Sequence, residues 1–214
     1  PFDPVATRVS AHIPIMVGHN RDEATFFNMG RPDTFSMNDA ALKARLAVEF
    51  GEYAERIETA YRAFYPNKTP SELYIAIASD VWFGNDSVTV AERKSLQSAP
   101  VYRYRYDYQS DFIIPGTDFK FGAGHASEIN MKFYNYDIHG LQGGGPGAEK
   151  ASRNMSEMWA TFARTSTPRA NGQPEWPRYN QATRSTMVID IECHVETDLE
   201  GDIRRLWESI GPSV

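Results

Sequence analysis

A single cysteine, Cys193, stands in a chain of 214 residues, which excludes an internal disulfide and any zinc cluster built on cysteine pairs. Its surroundings, TMVIDIECHVETD, are apolar and strand-like and offer no basic pair or helix start to lower a thiol pKa, so a buried or half-buried inert thiol is expected. No apolar run approaches the roughly 20 residues that span a bilayer. The opening PFDPVATRVS has neither the basic nor the apolar part of a signal peptide. It also lacks an initiator methionine, so the start reads as processed or truncated and the missing signal leaves the compartment open. Lysine and arginine number 22 against 28 aspartate and glutamate, and the cations are scattered. A basic stripe for nucleic acid or an anionic membrane surface is therefore lacking. No period recurs, which excludes a repeat array, and nothing in the sequence implies a metal or a cofactor.

What is present is ordinary globular material, 41% hydrophobic and 23% charged, enough for one large domain or two small ones with a buried core. HIPIMVGHN reads as a short strand ending at Gly18, with Ile13, Ile15, Met16 and Val17 continuous as in a parallel sheet covered on both faces. A polar turn, Asn20 to Glu23, leads to Phe26 and Phe27. The spacing predicts a helix over Asn38 to Phe50 with Leu42, Leu46 and Phe50 inward and Gly51 as stop. A second follows with Tyr53, Ile57, Tyr61 and Phe64 on one side and Pro66 as its end. Thr69, Pro70 and Glu72 form a capping-box start for a helix through LYIAIASDVWF, and Asp86 to Gln97 reads as one more.

VYRYRYDY alternates strictly, tyrosines on one face and Val101, Arg103, Arg105 and Asp107 on the other, as a strand does. Its tyrosine face is expected to pack on helices rather than stack on ligands. A turn-rich segment, Ser110 to Gly124, comes next. HGLQGGGPG, His139 to Gly147, is rejected as an oxyanion loop and read as a mobile surface linker, because its glycines are not joined to the histidine and it follows the presumed base. Ala148 to Thr165 is the strongest helix, with Met155, Met158, Trp159, Phe162 and Ala163 on one stripe. STMVIDIE reads as the last strand and Arg204 to Ile210 as a closing helix. Strands alternating with helices make the fold α/β, with a mostly parallel sheet that looks incomplete.

The candidate chemistry centres on FGAGHASEI. His125, on a loop flanked by glycine, can approach a substrate closely and is read as a general base. Its candidate partner is Glu23, which follows the first strand, where open parallel sheets place their functional loops. A helix N-cap or a solvated turn acid is the plainer reading of Glu23 alone. An acid and a histidine after successive strands, with a nucleophile earlier, is the chain order Ser, Asp/Glu, His of α/β-hydrolases. Imidazole takes the serine proton and the carboxylate steadies the imidazolium.

IPIMVGHNRDEATFF resembles the acid-bearing segment of type-B carboxylesterases, the group that includes the cholinesterases. FGAGHASEINMKFYN resembles their histidine segment. MWATFARTSTP and QPEWPRYNQATRSTMVID are similar to the family's late helix and its passage into a final strand, and SDVWFGND, Ser79 to Asp86, is a looser match. The resemblance implies that Glu23 is the triad acid, His125 the base and Glu128 a hydrogen-bond or ion-pair partner behind them. Asp22 is the rival acid. His12, His19, His139 and His194 match nothing catalytic.

No serine here lies in G-x-S-x-G, so this chain supplies no nucleophile, and its length matches the C-terminal part of such an enzyme. The expected organisation is therefore residues 1–214 as the C-terminal part of one α/β-hydrolase domain, incomplete alone, with a helical insertion at about 36–98. The N-terminal part, with the serine and the oxyanion loop, would be a separate chain or segment. The implied substrate is a small-molecule ester. This chain alone is expected to be inactive, and the resemblance allows a secreted or extracellular site. The alternatives are a non-catalytic adhesion or binding relative of the same fold and a free-standing α/β binding domain. The retained Glu23 and His125 weigh against the first, and a half-sheet with exposed edges weighs against the second.

Overall fold

The first strand, β1, covers Ile15–Asn20 in the computed structural model, which describes residues 2, 4–138 and 140–211. It runs past the expected stop at Gly18. That glycine is a packing choice within the strand: a Cβ there would lie 2.2 Å from the carbonyl oxygen of Tyr104 on the neighbouring strand. Ile13 falls outside β1 and is exposed. A short helix, α1 (Ala24–Asn28), follows the turn.

Helix α2 (Asp39–Phe50) starts where Asn38 accepts the Ala41 amide, buries Leu42, Leu46 and Phe50, and stops at Gly51 with φ of +52°. In α3 (Ala54–Phe64) Ile57 and Tyr61 are buried, while Phe64 stays exposed. Both capping-box bonds open α4 (Pro70–Ser79). The two helices expected from here to Gln97 are one run. A π-helical turn, Asp80–Gly84, carries α4 directly into α5 (Asn85–Ser95), because Gly84 keeps helical angles of −59° and −53° and no proline intervenes.

After β2 (Val101–Tyr106) the segment expected to be irregular forms a hairpin, β3 (Ser110–Ile113) and β4 (Lys120–Gly122). Its ladder holds the pairs Ser110↔Gly122 and Ile113↔Lys120 with a register shift between them, too short for alternation to show in the sequence. Helix α6 covers Glu128–Lys132 and α7 covers Ala148–Thr165. Met155 and Met158 of α7 are buried, whereas Ala163, expected on the same stripe, is exposed. The strand β5 (Thr186–Ile189) is not the last. It turns back into β6 (His194–Glu196), with Cys193 buried at the turn. Helix α8 (Gly201–Ile210) begins three residues before the expected Arg204. The segment 140–147 is tied down: Gly144 donates to Asp111 Oδ1 at 3.0 Å and Tyr108 donates to the Gly145 carbonyl at 3.3 Å. His139, named above, lies outside the described residues.

The sheet order is β1-β2-β5-β6, parallel for the first two pairings and antiparallel for the last. On one face Tyr102 and Tyr104 of β2 meet Phe162 and Trp159 of α7 at 6.1 and 5.0 Å between ring centroids, with Met155, Met158 and Met187 filling the layer. The tyrosine face thus packs on a helix, as expected. The other face buries Arg103 and Arg105. Helices α2, α3, α4 and α8 close a second core around Leu42, Leu46, Ile57, Leu73, Ile77 and Trp207. Each such aliphatic side chain contributes about 1.5–3 kcal/mol when fully buried. Among the described residues β1 pairs on one side only, and Ile15, Met16 and Val17 are half-buried rather than covered on both faces.

Candidate active site

Strand β1 ends at Asn20, and the turn Arg21 to Glu23 throws the Glu23 side chain back across the strand end. Glu23 stands at the N-cap position of α1 but makes no capping bond. Its Oε1 accepts the backbone amide of Asn20 at 2.7 Å. Its Oε2 lies 2.6 Å from Nδ1 of His125, a partner 102 positions away in the chain. A carboxylate oxygen beside Nδ1 calls for the Nδ1–H tautomer, which leaves Nε2 with a free lone pair.

The histidine loop is set by three backbone features. Gly122 takes φ of +67°, and a Cβ on it would lie 2.6 Å from Oδ2 of Asp22. A Cβ on Gly124 would sit 2.4 Å from the Phe121 ring. Ala126, the residue after His125, has φ of +68°, a left-handed conformation uncommon outside glycine and the kind of local strain that clusters at functional sites. The glycines therefore let the loop press inward on Asp22 and Phe121.

Asp22, the rival acid, is committed elsewhere. Its Oδ2 accepts the Ala123 amide at 3.0 Å and the Gln109 side chain at 3.3 Å, and its own amide donates to the Ala123 carbonyl at 3.0 Å. Glu128 does not bond Glu23 or His125 directly. It accepts from Asn20 Nδ2 at 2.7 Å and from Lys132 at 2.8 Å. Asn20 Nδ2 also donates to the Gly124 carbonyl at 2.9 Å. Asn20 was missed at the level of sequence, where it reads as the first residue of a polar turn; its place at the end of a strand, three residues before the acid, was the available signal.

Burial pushes the Glu23 carboxyl above its ordinary range, against the Asn20 amide and His125, which pull it down; the charge of Glu128 adds to the rise. Burial acts the same way on Glu128, but the charge and hydrogen bond of Lys132 and the bond from Asn20 outweigh it and hold the group low. Around His125, whose side chain is 38% exposed, stand the rings of Phe26, Phe27 and Phe83 at 5.7, 4.9 and 5.3 Å. Trp82, from the π-helical turn, packs edge-on against Phe27. Such a collar keeps water away from one side of the imidazole while the remainder stays accessible.

The other described histidines have no such setting. His12 is exposed, and His194 lies 3.4 Å from Glu196 at the surface. His19 is buried with Nδ1 3.1 Å from Ser87 Oγ, and burial, then the charges of Arg103 and Arg105, hold it well below the usual range. A groove of about 880 Å³ runs between the β3–β4 hairpin and the start of α4; its lining includes Asp22 and Thr25 but neither Glu23 nor His125. Among the described residues no cluster of three or more His, Cys, Asp or Glu side chains is placed to hold a metal ion, and no helix is long and apolar enough to cross a membrane.

A mostly parallel sheet with a carboxylate beyond β1 set against a histidine in the loop after the β3–β4 hairpin is the partial frame of an α/β-hydrolase. Comparison with known proteins narrows the class. The chain belongs to the carboxylesterase family, whose model, described as "Carboxylesterase family", matches residues 1–207. The para-nitrobenzyl esterase of Bacillus subtilis (strain 168) is 29% identical over 219 residues, covering 99% of this chain and 41% of that protein. Mouse liver carboxylesterase 1 is 31% identical over 117 residues, 53% of this chain and 20% of the relative. Among solved structures, the Geobacillus stearothermophilus carboxylesterase EST55 superposes with a TM-score of 0.74 at 28% identity, over 91% of this chain and 40% of that one. A PNB esterase gives 0.64 at 28% identity, over 91% and 38%. The chain thus spans about two-fifths of the length of its full-coverage relatives.

Proposed function

We propose that this chain supplies the general base and the acid of a carboxylic ester hydrolase that works through a Ser-His-Glu acyl-enzyme mechanism. The observation that carries the reading is the 2.6 Å contact between His125 Nδ1 and Glu23 Oε2, which leaves the Nε2 lone pair free to take a proton. A serine from the remainder of the protein, on a separate chain or segment, attacks the ester carbonyl while His125 Nε2 takes its proton. The imidazolium returns that proton to the departing alcohol, and water then repeats the sequence on the acyl-enzyme. Glu23 holds the ring in the right tautomer and stabilises its positive charge throughout. Glu128 acts one layer back, through Asn20. The substrate is a small-molecule ester, in keeping with relatives named as esterases.

The whole protein is read as one α/β-hydrolase domain, with the helices of about 36–98 as an insertion, and this chain alone as inactive. The test is made on the complete protein. A fluorophosphonate probe should label a serine outside these 214 residues, and Glu23→Gln should lower turnover by a factor on the order of 10⁴ while leaving the fold intact. A wild-type rate in that variant overturns the assignment.

A further inference from the structure

We infer that Asn20 is a positioning residue of the Glu23–His125 dyad, its side chain tying the end of β1 to the carbonyl just before the base and to Glu128. The inference rests on the triad reading above. Its three hydrogen-bond donors all serve the site. The backbone amide holds Glu23 Oε1 at 2.7 Å. The two protons of the side-chain amide go to the carbonyl of Gly124, the residue before His125, at 2.9 Å and to Glu128 Oε2 at 2.7 Å. Both side-chain partners are acceptors, so the orientation of the amide group is fixed by its neighbours.

The residue type follows from that inventory. Two divergent donors without charge are needed, within one short reach of a buried strand end, and Asn20 is 2% exposed. Aspartate would set an acceptor against two acceptors and a like charge against Glu128. Serine would serve one partner and orphan the other. Glutamine would overshoot.

The consequence is mechanical. His125 sits on a loop whose next residue holds a left-handed backbone angle, φ of +68° at Ala126, so its ring position is only as fixed as the loop's anchors. Ser127 also bonds the Gly124 carbonyl, at 2.7 Å from its hydroxyl, but Ser127 is on the same loop and moves with it. Asn20 comes from the sheet. A base displaced by a fraction of an ångström from its carboxylate loses both tautomer control and the stabilisation of its charged form. Glu128 and Lys132, paired at 2.8 Å, brace the far side of the same amide.

The test uses the complete protein with Asn20→Ala, the isosteric Asn20→Asp and, as a control on the triad itself, Glu23→Gln. Loss of an outer-layer partner costs about 10–100-fold in activity, and the fall should lie in kcat, with KM within about twofold since no substrate contact is removed. In Asn20→Ala the acid limb of the kcat/KM profile should move to lower pH, because the imidazolium has lost part of its hold on Glu23. A purely structural role would lower the melting temperature and leave that limb in place. Should Asn20→Ala fail to fold, Asn20→Asp keeps the shape and exchanges donor for acceptor, and the low-field proton NMR signal of the His125 Nδ1–H should shift or vanish. Turnover and pH limb unchanged in a folded Asn20 variant, with Glu23→Gln still impaired, overturn this inference alone. An unimpaired Glu23→Gln overturns the triad reading beneath it.

Discussion

Arg105, in the middle of the sheet, donates through Nη1 to Oε1 of Glu200 at 2.5 Å across 95 positions of chain. The same guanidinium grips Asp107 with Nε and Nη2 at 2.6 and 2.7 Å, so one cation is shared between two carboxylates, one of them at the N-cap of α8. The pair is buried, with side chains 10% and 12% exposed. Removing one partner of a buried pair strands the others, at a cost of about 3–5 kcal/mol. Arg105→Ala should therefore lose that much stability in urea unfolding, and a loss under about 1 kcal/mol, the worth of an exposed pair, contradicts the account.

Asp80 opens the π-helical turn and accepts the Tyr61 hydroxyl at 2.5 Å. Burial, then the charge of Glu200, push its carboxyl up to about 8 against the pull of Tyr61, Arg105 and Arg103. An aspartate in the unfolded chain titrates near 3.9, so between about pH 4 and 8 the folded protein holds a proton that the unfolded chain has released. This group therefore weakens stability as pH rises through that window. Asp80→Asn keeps the shape and removes the proton, so its stability relative to wild type should grow from the acid to the alkaline end. A constant difference across the window shows that Asp80 does not titrate there.

Cys193 is 6% exposed, and burial drives its thiol up to about 11. Iodoacetamide at mildly alkaline pH should leave the native chain unmodified and alkylate it fully in urea. Rapid labelling of the native protein would mark a reactive thiol instead.

The capping box at α4 joins Thr69 and Glu72 in both directions, with Thr69 N to Glu72 Oε2 at 2.7 Å and Glu72 N to Thr69 Oγ1 at 3.3 Å. Thr69→Ala removes one of the two and should cost about 1 kcal/mol, read as a lower urea midpoint at unchanged slope.

How much of this was legible in the sequence depended on range. The capping box at Thr69 and the Met155 and Met158 positions of the α7 stripe are local devices whose physics is complete within a few residues, and they stand where the spacing put them, while Ala163 on the same stripe is exposed. The alternation of VYRYRYDY gave the strand and its helix-packed tyrosine face. It could not show that Arg103 and Arg105 turn inward, because their partners, Glu200, Thr186 and Ser87, come from other elements. The β3–β4 hairpin and the π-helical turn escaped for want of a period. Spacing alone left Glu23 between N-cap and triad acid. Family resemblance favoured the second, and the structure has the side chain facing His125 with no capping bond. Asn20 carried one local signal, its place at a strand end three residues before Glu23, and no more, since its hydrogen bonds join three segments.

Asp22 and Ala123 exchange backbone and side-chain bonds in both directions, Asp22 N to the Ala123 carbonyl and Ala123 N to Asp22 Oδ2, each 3.0 Å. Glu23 follows one member of this pair directly and His125 follows the other by two residues, so the acid turn cannot lift from the sheet without carrying the histidine loop with it. In the language of hydrogen exchange the two form a single opening unit: the amides of Asn20, Asp22 and Ala123 should exchange with one common free energy. Thermal unfolding should then release Glu23 and His125 in a single event, with no stage at which the histidine remains in place without its carboxylate.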